Sequence, residues 1–404
     1  MSKVYVVSAK RTPTGVQLGT LKDISAPKLG AIASKAAMEQ ANVDPKNIEE
    51  VFTGQIFVAG SGGGPGRQTA IYAGVPSEVT ASNTNMLCAS AMKALIHGYV
   101  YLKAGYRHLV LVAGQESMTQ APYLIPYKAR AGIKMGEFKV QDHMLYDGLV
   151  DIFYNYHMGV TAENVAKMYN ITREQQDEFA WNSICKALKA IDSGVFDPEI
   201  VPVTISTRKG DVVFARDETV NRTTSLEKMS KLRPCFLKDG TVTAASSSSI
   251  NDGASAVVLA DEEAVKKYKL KPMVEIIGFG QGGVDPSIMG LGPTPAVREV
   301  MKQTGLTLKD MDLIELNEAF AAQSLGVIKE LCEEWKVSKE WIMERTNVNG
   351  GAIALGHAVG QSGVRILITL IYEMLRRGVK YGLATLCVGG GMGAAVIVKN
   401  PKFD

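Results

Sequence analysis

One structural unit is written twice in this chain, and that repetition limits the fold more than any other feature. Residues 88–104 are small and apolar at helical spacing and end at Gly105. The apolar run Leu109-Val110-Leu111-Val112-Ala113 follows, then the turn Gly114-Gln115-Glu116-Ser117-Met118. Residues 362–377 repeat the pattern: a helical run to Gly378, the run Leu383-Ala384-Thr385-Leu386-Cys387, then Gly389-Gly390-Gly391-Met392. A continuous apolar strand is covered on both faces, and the helix leading into it supplies one cover. The repeat therefore predicts two similar α/β halves, with a site between them that draws residues from both.

The rest of the chain continues the alternation. Residues 4–8 and 50–58 are strand-like, 26–40 is helical, and 67–73 starts another helix, which together predict a layered α/β fold. Residues 120–248 differ. They carry Tyr123, Tyr127, Tyr146, Phe153, Tyr154 and Tyr156, a charged helix over 172–193 and a polar stretch over 208–228. This region is expected to be an insertion folded on the core. The Ser246-Ser247-Ser248-Ser249 run lies between Thr241-Val242-Thr243 and Asn251-Asp252-Gly253-Ala254, so a structured loop is expected there.

Several function classes lack support. With 44 Lys and Arg against 41 Asp and Glu, the net charge is +3, which gives no case for nucleic acid or a membrane surface as partner. No window of 18 uncharged apolar residues occurs. The first residues form a strand-like run without an apolar or Arg-rich leader, and Asn400-Pro401-Lys402-Phe403-Asp404 is no simple organelle address, so a cytoplasmic protein is expected. The five cysteines are odd in number and widely spaced, which argues against a disulfide framework. The five histidines show no metal-ligand spacing, and no metal is expected.

The chemistry concentrates at a few positions. Cys88 opens a helical run, where the helix dipole is expected to lower its pKa and favour the thiolate; the alternative is a small buried hydrophobe. His357 stands among Gly350, Gly351, Gly356, Gly360 and Gly363, placed to take and return a thiol proton, or simply a satisfied core histidine. Cys387 ends a buried strand and enters glycines whose free N–H groups suit an oxyanion hole, against the alternative of a cysteine buried in a tight turn. Asn317 is expected to start a helix as its N-cap, or to hold a water or carbonyl oxygen. Cys185, Cys235 and Cys332 are assigned to packing. The segment Gly62-Gly63-Gly64-Pro65-Gly66-Arg67 resembles a phosphate loop but lacks its lysine and is taken as a plain loop.

Taken together these segments resemble the thiolase family nearly end to end. The landmarks are Ser8-Ala9-Lys10-Arg11-Thr12-Pro13, the Cys88 loop, Tyr156-His157-Met158-Gly159-Val160-Thr161-Ala162-Glu163-Asn164 and Asn251-Asp252-Gly253-Ala254. Asn317-Glu318-Ala319-Phe320, the glycine-flanked His357 and Cys387-Val388-Gly389-Gly390-Gly391 complete the set. The His157-Met158 pair resembles the short-chain type. The resemblance implies a thiolase fold in five layers (αβαβα), with residues 1–119 and 249–270 as one half, 120–248 as an inserted loop domain and 271–404 as the other half. It implies that Cys88 becomes acetylated, that His357 activates it and helps hold the thioester oxygen, and that Cys387 moves the α-proton. By the same likeness Asn317 positions a water in one oxyanion hole, and the N–H groups of Cys88 and Gly389 form the other. His157, Met158, Met289, Phe236 and Phe320 would line the pantetheine and acyl pocket, with Leu149, Ala244 and Ser248 against coenzyme A.

The activity so implied is reversible condensation of two acetyl-CoA to acetoacetyl-CoA and coenzyme A, without a separate cofactor, in a homotetramer built as a dimer of dimers. A broader-chain 3-ketoacyl-CoA thiolase is the alternative enzyme. A non-catalytic acyl-CoA-binding paralogue is the alternative of another class. It is motivated by Ala89 and Ala91, where the family usually has glycine, and by Ala358, where it usually has proline.

Overall fold

Strand pairing in the computed structural model, which describes residues 2–403, displays the duplication directly. The first half contributes β1 (Val4–Arg11), β2 (Glu50–Gly54), β3 (Ala81–Thr84), β4 (Leu109–Ser117) and β5 (Asn251–Asp261). Their spatial order is β3-β2-β4-β5-β1. The β3-β2-β4 pairings are parallel and the β4-β5-β1 pairings antiparallel. The second half contributes β6 (Val274–Gly283), β7 (Leu313–Leu316), β8 (Tyr381–Val388) and β9 (Met392–Lys399), in the order β7-β8-β9-β6. Here β7-β8 is parallel, β8-β9-β6 is antiparallel, and a parallel bridge from Thr346 to Ile314 stands where β3 stands in the first half. The halves meet edge to edge at Tyr5 opposite Glu275 and Val6 opposite Val274.

Period-two alternation decides which layer each strand residue faces. On β4, Leu109, Leu111 and Ala113 pack with Leu29, Ala33 and Ala37 of the outer helix Ala26–Gln40. Val110 and Val112 point the other way, into a core shared with the helices Ser90–Lys103 and Ser362–Arg377. That core also takes Ala384, Leu386 and Val388 of β8. Leu383 and Cys387, facing opposite to them, join the outer core of the second half, with Val297, Val300 and Leu325. The layers thus run helix, sheet, paired central helices, sheet, helix. The central helices approach closely: a Cβ on Gly363 would lie 2.7 Å from the Met92 backbone nitrogen. The methyl of Ala91 fills room left by glycine in the same way, since a Cβ on Gly114 would lie 2.5 Å from it.

Residues between β4 and β5 fold over the core. Thr172 caps the helix Arg173–Asp192 through a capping box with Gln175, which makes the charged segment helical as its pattern predicts. A buried ion cluster fastens this region to β1. Arg11, 1% exposed, donates to Glu199 at 2.6 Å and grips Asp217 through both terminal nitrogens at 2.7 and 2.9 Å. The aromatic side chains of the segment around residues 120–156 stay largely outside: Tyr123, Tyr127 and Phe153 are exposed. No helix among the described residues is long and apolar enough to cross a membrane.

Some expected boundaries move. β2 ends at Gly54, and residues 55–58 turn away from the sheet. The glycine run at 62–64 is a loop leading to Pro65, which starts the helix Pro65–Tyr72.

Candidate active site

The turn before the first central helix delivers Cys88. Leu87 takes a left-handed φ of +46°, rare for a branched side chain, and the turn closes through Ala89 N–H to Met86 O and Ser90 N–H to Leu87 O. The Ser90 hydroxyl braces the turn, donating to Leu87 O at 2.6 Å and accepting from Met86 N–H at 3.0 Å. The helix itself starts at Ser90, two residues later than the sequence pattern places it. The thiol sits at the wall of a cavity of about 490 Å³. Burial pushes its pKa up to about 11, while the N–H groups of Gly389 and of Cys88 itself, directed at the sulfur, pull it down. The expected lowering by the helix end is therefore overturned: desolvation outweighs it.

His357 lies beyond the short helix Ala352–Leu355, with its N–H donated to Asn251 Oδ1 at 2.8 Å. Its Nδ1 is 2.6 Å from Ser362 Oγ. The single Ser362 hydroxyl proton goes to Ala358 O at 3.0 Å, so Nδ1 carries the proton in that contact. This tautomer leaves Nε2 as an acceptor facing the cavity, 3.4 Å from Asn317 Nδ2. Burial, with the Arg365 charge acting in the same sense, pushes the imidazole down to about 3, so it rests neutral.

Asn317 is buried in the link between β7 and the helix Ala321–Trp335, whose N-cap is Phe320. The expected capping role is thus corrected: the side chain turns inward to His357, and its Oδ1 has no partner among the described residues. Cys387 stands at the end of β8, buried, and both burial and the nearby Cys88 raise its thiol pKa. Gly389 follows where space is short: a Cβ would lie 2.9 Å from both Leu87 Cδ1 and Met158 Cε.

Cys88, His357, Cys387 and Gly389 line one cavity together with Leu149, His157, Met158, Phe236, Ala244, Ser248, Met289 and Phe320. Asn317 lies behind His357. His157 caps its helix by accepting from Gly159 N–H at 3.0 Å and stacks on Phe236 at 4.7 Å, while Phe320 meets Phe236 edge-on. The serine run is held in place: Thr243 and Ser246 form a capping box, and Ser248 N–H donates to Ala319 O at 2.9 Å.

Sequence reasoning missed several lining residues. Val16 and Gln17, Met118, and Val359 come from three separate loops or strand ends and carry no motif. Cys235, assigned to packing, lines the cavity and is exposed; Cys185 is exposed as well, and only Cys332 packs into the core of the second half. Glu116, read only as part of a turn, is fully buried beside the site with its pKa pushed up to about 8 by burial. No cluster of metal-ligating side chains occurs among the described residues.

The arrangement holds two thiols and a neutral imidazole on one cavity, with N–H donors aimed at one sulfur. Comparison with known proteins agrees with it. The family models described as "Thiolase, N-terminal domain" and "Thiolase, C-terminal domain" match residues 4–263 and 270–400. A protein named acetyl-CoA acetyltransferase from Cupriavidus necator is 49% identical over 99% of this chain and 100% of its own. The structure of acetyl-CoA acetyltransferase from Syntrophomonas wolfei superimposes with a TM-score of 0.96 at 44% identity, covering 99% of this chain and 100% of that one. Human mitochondrial 3-ketoacyl-CoA thiolase in complex with CoA superimposes at 0.92 with 40% identity, covering 99% and 98%.

Proposed function

The chain belongs to the thiolase family, and from that premise we propose that it is an acetyl-CoA C-acetyltransferase joining two acetyl-CoA into acetoacetyl-CoA and coenzyme A, reversibly. The observation that carries this reading is the pair of thiols on one cavity, with the neutral Nε2 of His357 facing it.

Both thiols rest protonated, since burial raises each. The Cys88 sulfur attacks the acetyl carbonyl as its proton passes to His357 Nε2. The Cys88 and Gly389 N–H groups meet the oxygen as it gains charge. The departing CoA sulfur takes the proton of Cys387, leaving acetyl-Cys88, a thiolate at Cys387 and an imidazolium at His357. A thiolate whose conjugate acid is weak is a strong base, matched to the α-proton of a second acetyl-CoA. The resulting enolate attacks acetyl-Cys88, and Cys88 leaves with the proton of His357. Charges and protons then return to their starting places, so the same groups serve the reverse direction. Asn317, with a free buried carbonyl oxygen and its amide near Nε2, suits a water held against the thioester oxygen of the second substrate.

Met158, Met289, Phe236 and Phe320 line the cavity that holds the thiols, an apolar setting for an acyl group, and the short-chain reading rests on the acetyl-CoA acetyltransferase relatives. The 3-ketoacyl-CoA thiolase likeness keeps a broader-chain reading open to test. Higher turnover on a long 3-ketoacyl-CoA than on acetoacetyl-CoA would reject the short-chain reading. Mass spectrometry after mixing with acetoacetyl-CoA tests the activity itself: an acetyl adduct on Cys88 is expected, and coenzyme A bound without an adduct would mean a binding protein. A cytoplasmic setting, coenzyme A chemistry without a separate cofactor, and the division into two halves with an inserted loop domain over 120–248 belong to the same proposal. So does a homotetramer, for which the exposed Tyr123, Ile125, Tyr127 and Met135 offer apolar surface.

A further inference from the structure

Glu116 has no place in the chemistry above, yet it is fully buried next to it. It lies near the end of β4, opposite Gly253 of β5. Its carboxylate accepts three backbone N–H groups from two loops: Ile56 at 3.0 Å, Phe57 at 3.2 Å and Gly360 at 3.0 Å. Gly360 follows His357 in the same turn, and a Cβ there would lie 2.5 Å from Glu116 Oε2. Ile56, Phe57, Met118 and Val359 form the small apolar cluster against which Leu87 and Cys88 pack. Met118 and Val359 also line the cavity. One side chain therefore fastens together the turn after β2, the end of β4 and the His357 loop, and these three make the wall behind the nucleophile.

We propose that Glu116 is a positioning residue for acyl transfer: it ties the His357 loop to the Cys88 wall, and once ionised its charge opposes a thiolate on Cys88. This rests on the reading of Cys88 as the acyl acceptor. Glu116 is neutral at pH 7 and ionised in the range where Cys88 titrates. Burial raises its pKa most, the three N–H donors pull it down, and Asp252 of β5 adds to the rise; at Cys88, where burial again leads, the Glu116 charge adds to the rise. The turn after β2 contributes Gln55, Ile56 and Phe57, none of them ionisable, and His143 stands on the far side of the Phe57 ring at 5.3 Å. His357 precedes Gly360 by three positions on the loop that Glu116 binds, and Arg365 acts on that imidazole.

Alkylation of Cys88 by iodoacetamide as a function of pH tests this without any thioester. It therefore reads out even if the protein proves to catalyse something else. Glu116→Gln keeps the shape and removes the charge. The alkylation midpoint is expected to fall by about one pH unit, a roughly tenfold faster reaction below the midpoint. Glu116→Asp keeps the charge but shortens the reach. It is expected to hold the midpoint of the unaltered protein while turnover falls by about 10²-fold, as for a misplacement near 1 Å. A midpoint unmoved in Glu116→Gln, or moved equally in both variants, overturns the proposal. Should Glu116→Gln not fold, Glu116→Asp decides alone: unaltered turnover overturns it.

Discussion

The two halves share strand order and central helix yet finish their middle strands in opposite ways. β4 ends in side chains that fasten neighbouring segments: Gln115 bonds the side chains of Gln55 and Thr69, and Glu116 gathers the backbone N–H groups of Ile56, Phe57 and Gly360. β8 ends in Cys387 and then Gly389, Gly390 and Gly391, with no side chain to spare. The first strand end ties the wall together, and the second leaves a glycine turn and a buried thiol on the cavity. A duplicated scaffold can thus assign fastening to one copy and proton transfer to the other without changing its topology.

The largest effect that tests this division is loss of the Cys387 thiol. Cys387→Ala should still form acetyl-Cys88 from acetyl-CoA but condense about 10²–10⁴-fold more slowly, as expected for loss of a general base. Cys88→Ala should do neither. Intact mass after mixing, set beside turnover, separates the two cases. Unaltered turnover in Cys387→Ala would erase the contrast.

Next in size is the fastening of the inserted region. Asp217→Ala leaves Arg11 buried with half its partners, and should lower stability by about 3–5 kcal/mol in urea unfolding. The exposed Lys231–Glu227 pair carries the same charges, yet Glu227→Ala should change stability by less than about 0.5 kcal/mol. Equal effects would mean that burial is not what holds the region to β1.

A smaller effect appears with pH, because the groups shift in opposite directions. His357 is held well below its ordinary 6.5, so its contribution is present above pH 6.5 and is lost as pH falls toward about 3. Glu116 and Glu315 are raised from 4.5 to about 8, so theirs is present below pH 4.5 and is lost as pH rises through about 8. Between 4.5 and 6.5 the two trends oppose; above 6.5 only the acids act. Glu315→Gln should therefore flatten the fall in stability between pH 6.5 and about 8 while leaving the acid side unchanged, as read from urea midpoints. A fall as steep as in the unaltered protein would remove Glu315 as its source.

The smallest test concerns labelling. Cys185 and Cys235 are both exposed, but only Cys235 lines the cavity. Coenzyme A should slow maleimide labelling of Cys235 several-fold and leave Cys185 unaffected. Equal protection of both would place the ligand elsewhere.

The architecture was legible because apolar runs at two periods, each closed by glycine, mark elements that cannot be exposed. Gly105 and Gly378, with φ of +67° and +66°, stop the two central helices where the pattern stops. Cys88, His357 and Cys387 were legible from their surroundings in sequence. Their protonation was not, since desolvation depends on what packs around a thiol and not on its place at a helix end. Asn317 shows the limit for caps: it stands three positions before the N-cap Phe320, and its amide turns to His357. Cys235 escaped notice because it lies in an irregular loop between Lys231 and Ala244, where no period reports which side faces a cavity.

The strand order also bears on how the molecule is made. β5 lies between β4 and β1, inside the first half's sheet, yet it is encoded after the whole region that follows β4. On the ribosome, β1 and β4 therefore emerge without their shared neighbour and wait with open edges until residues 251–261 arrive. The region that carries Asp217 and Glu199, the carboxylates that bind Arg11 of β1, is made during that wait.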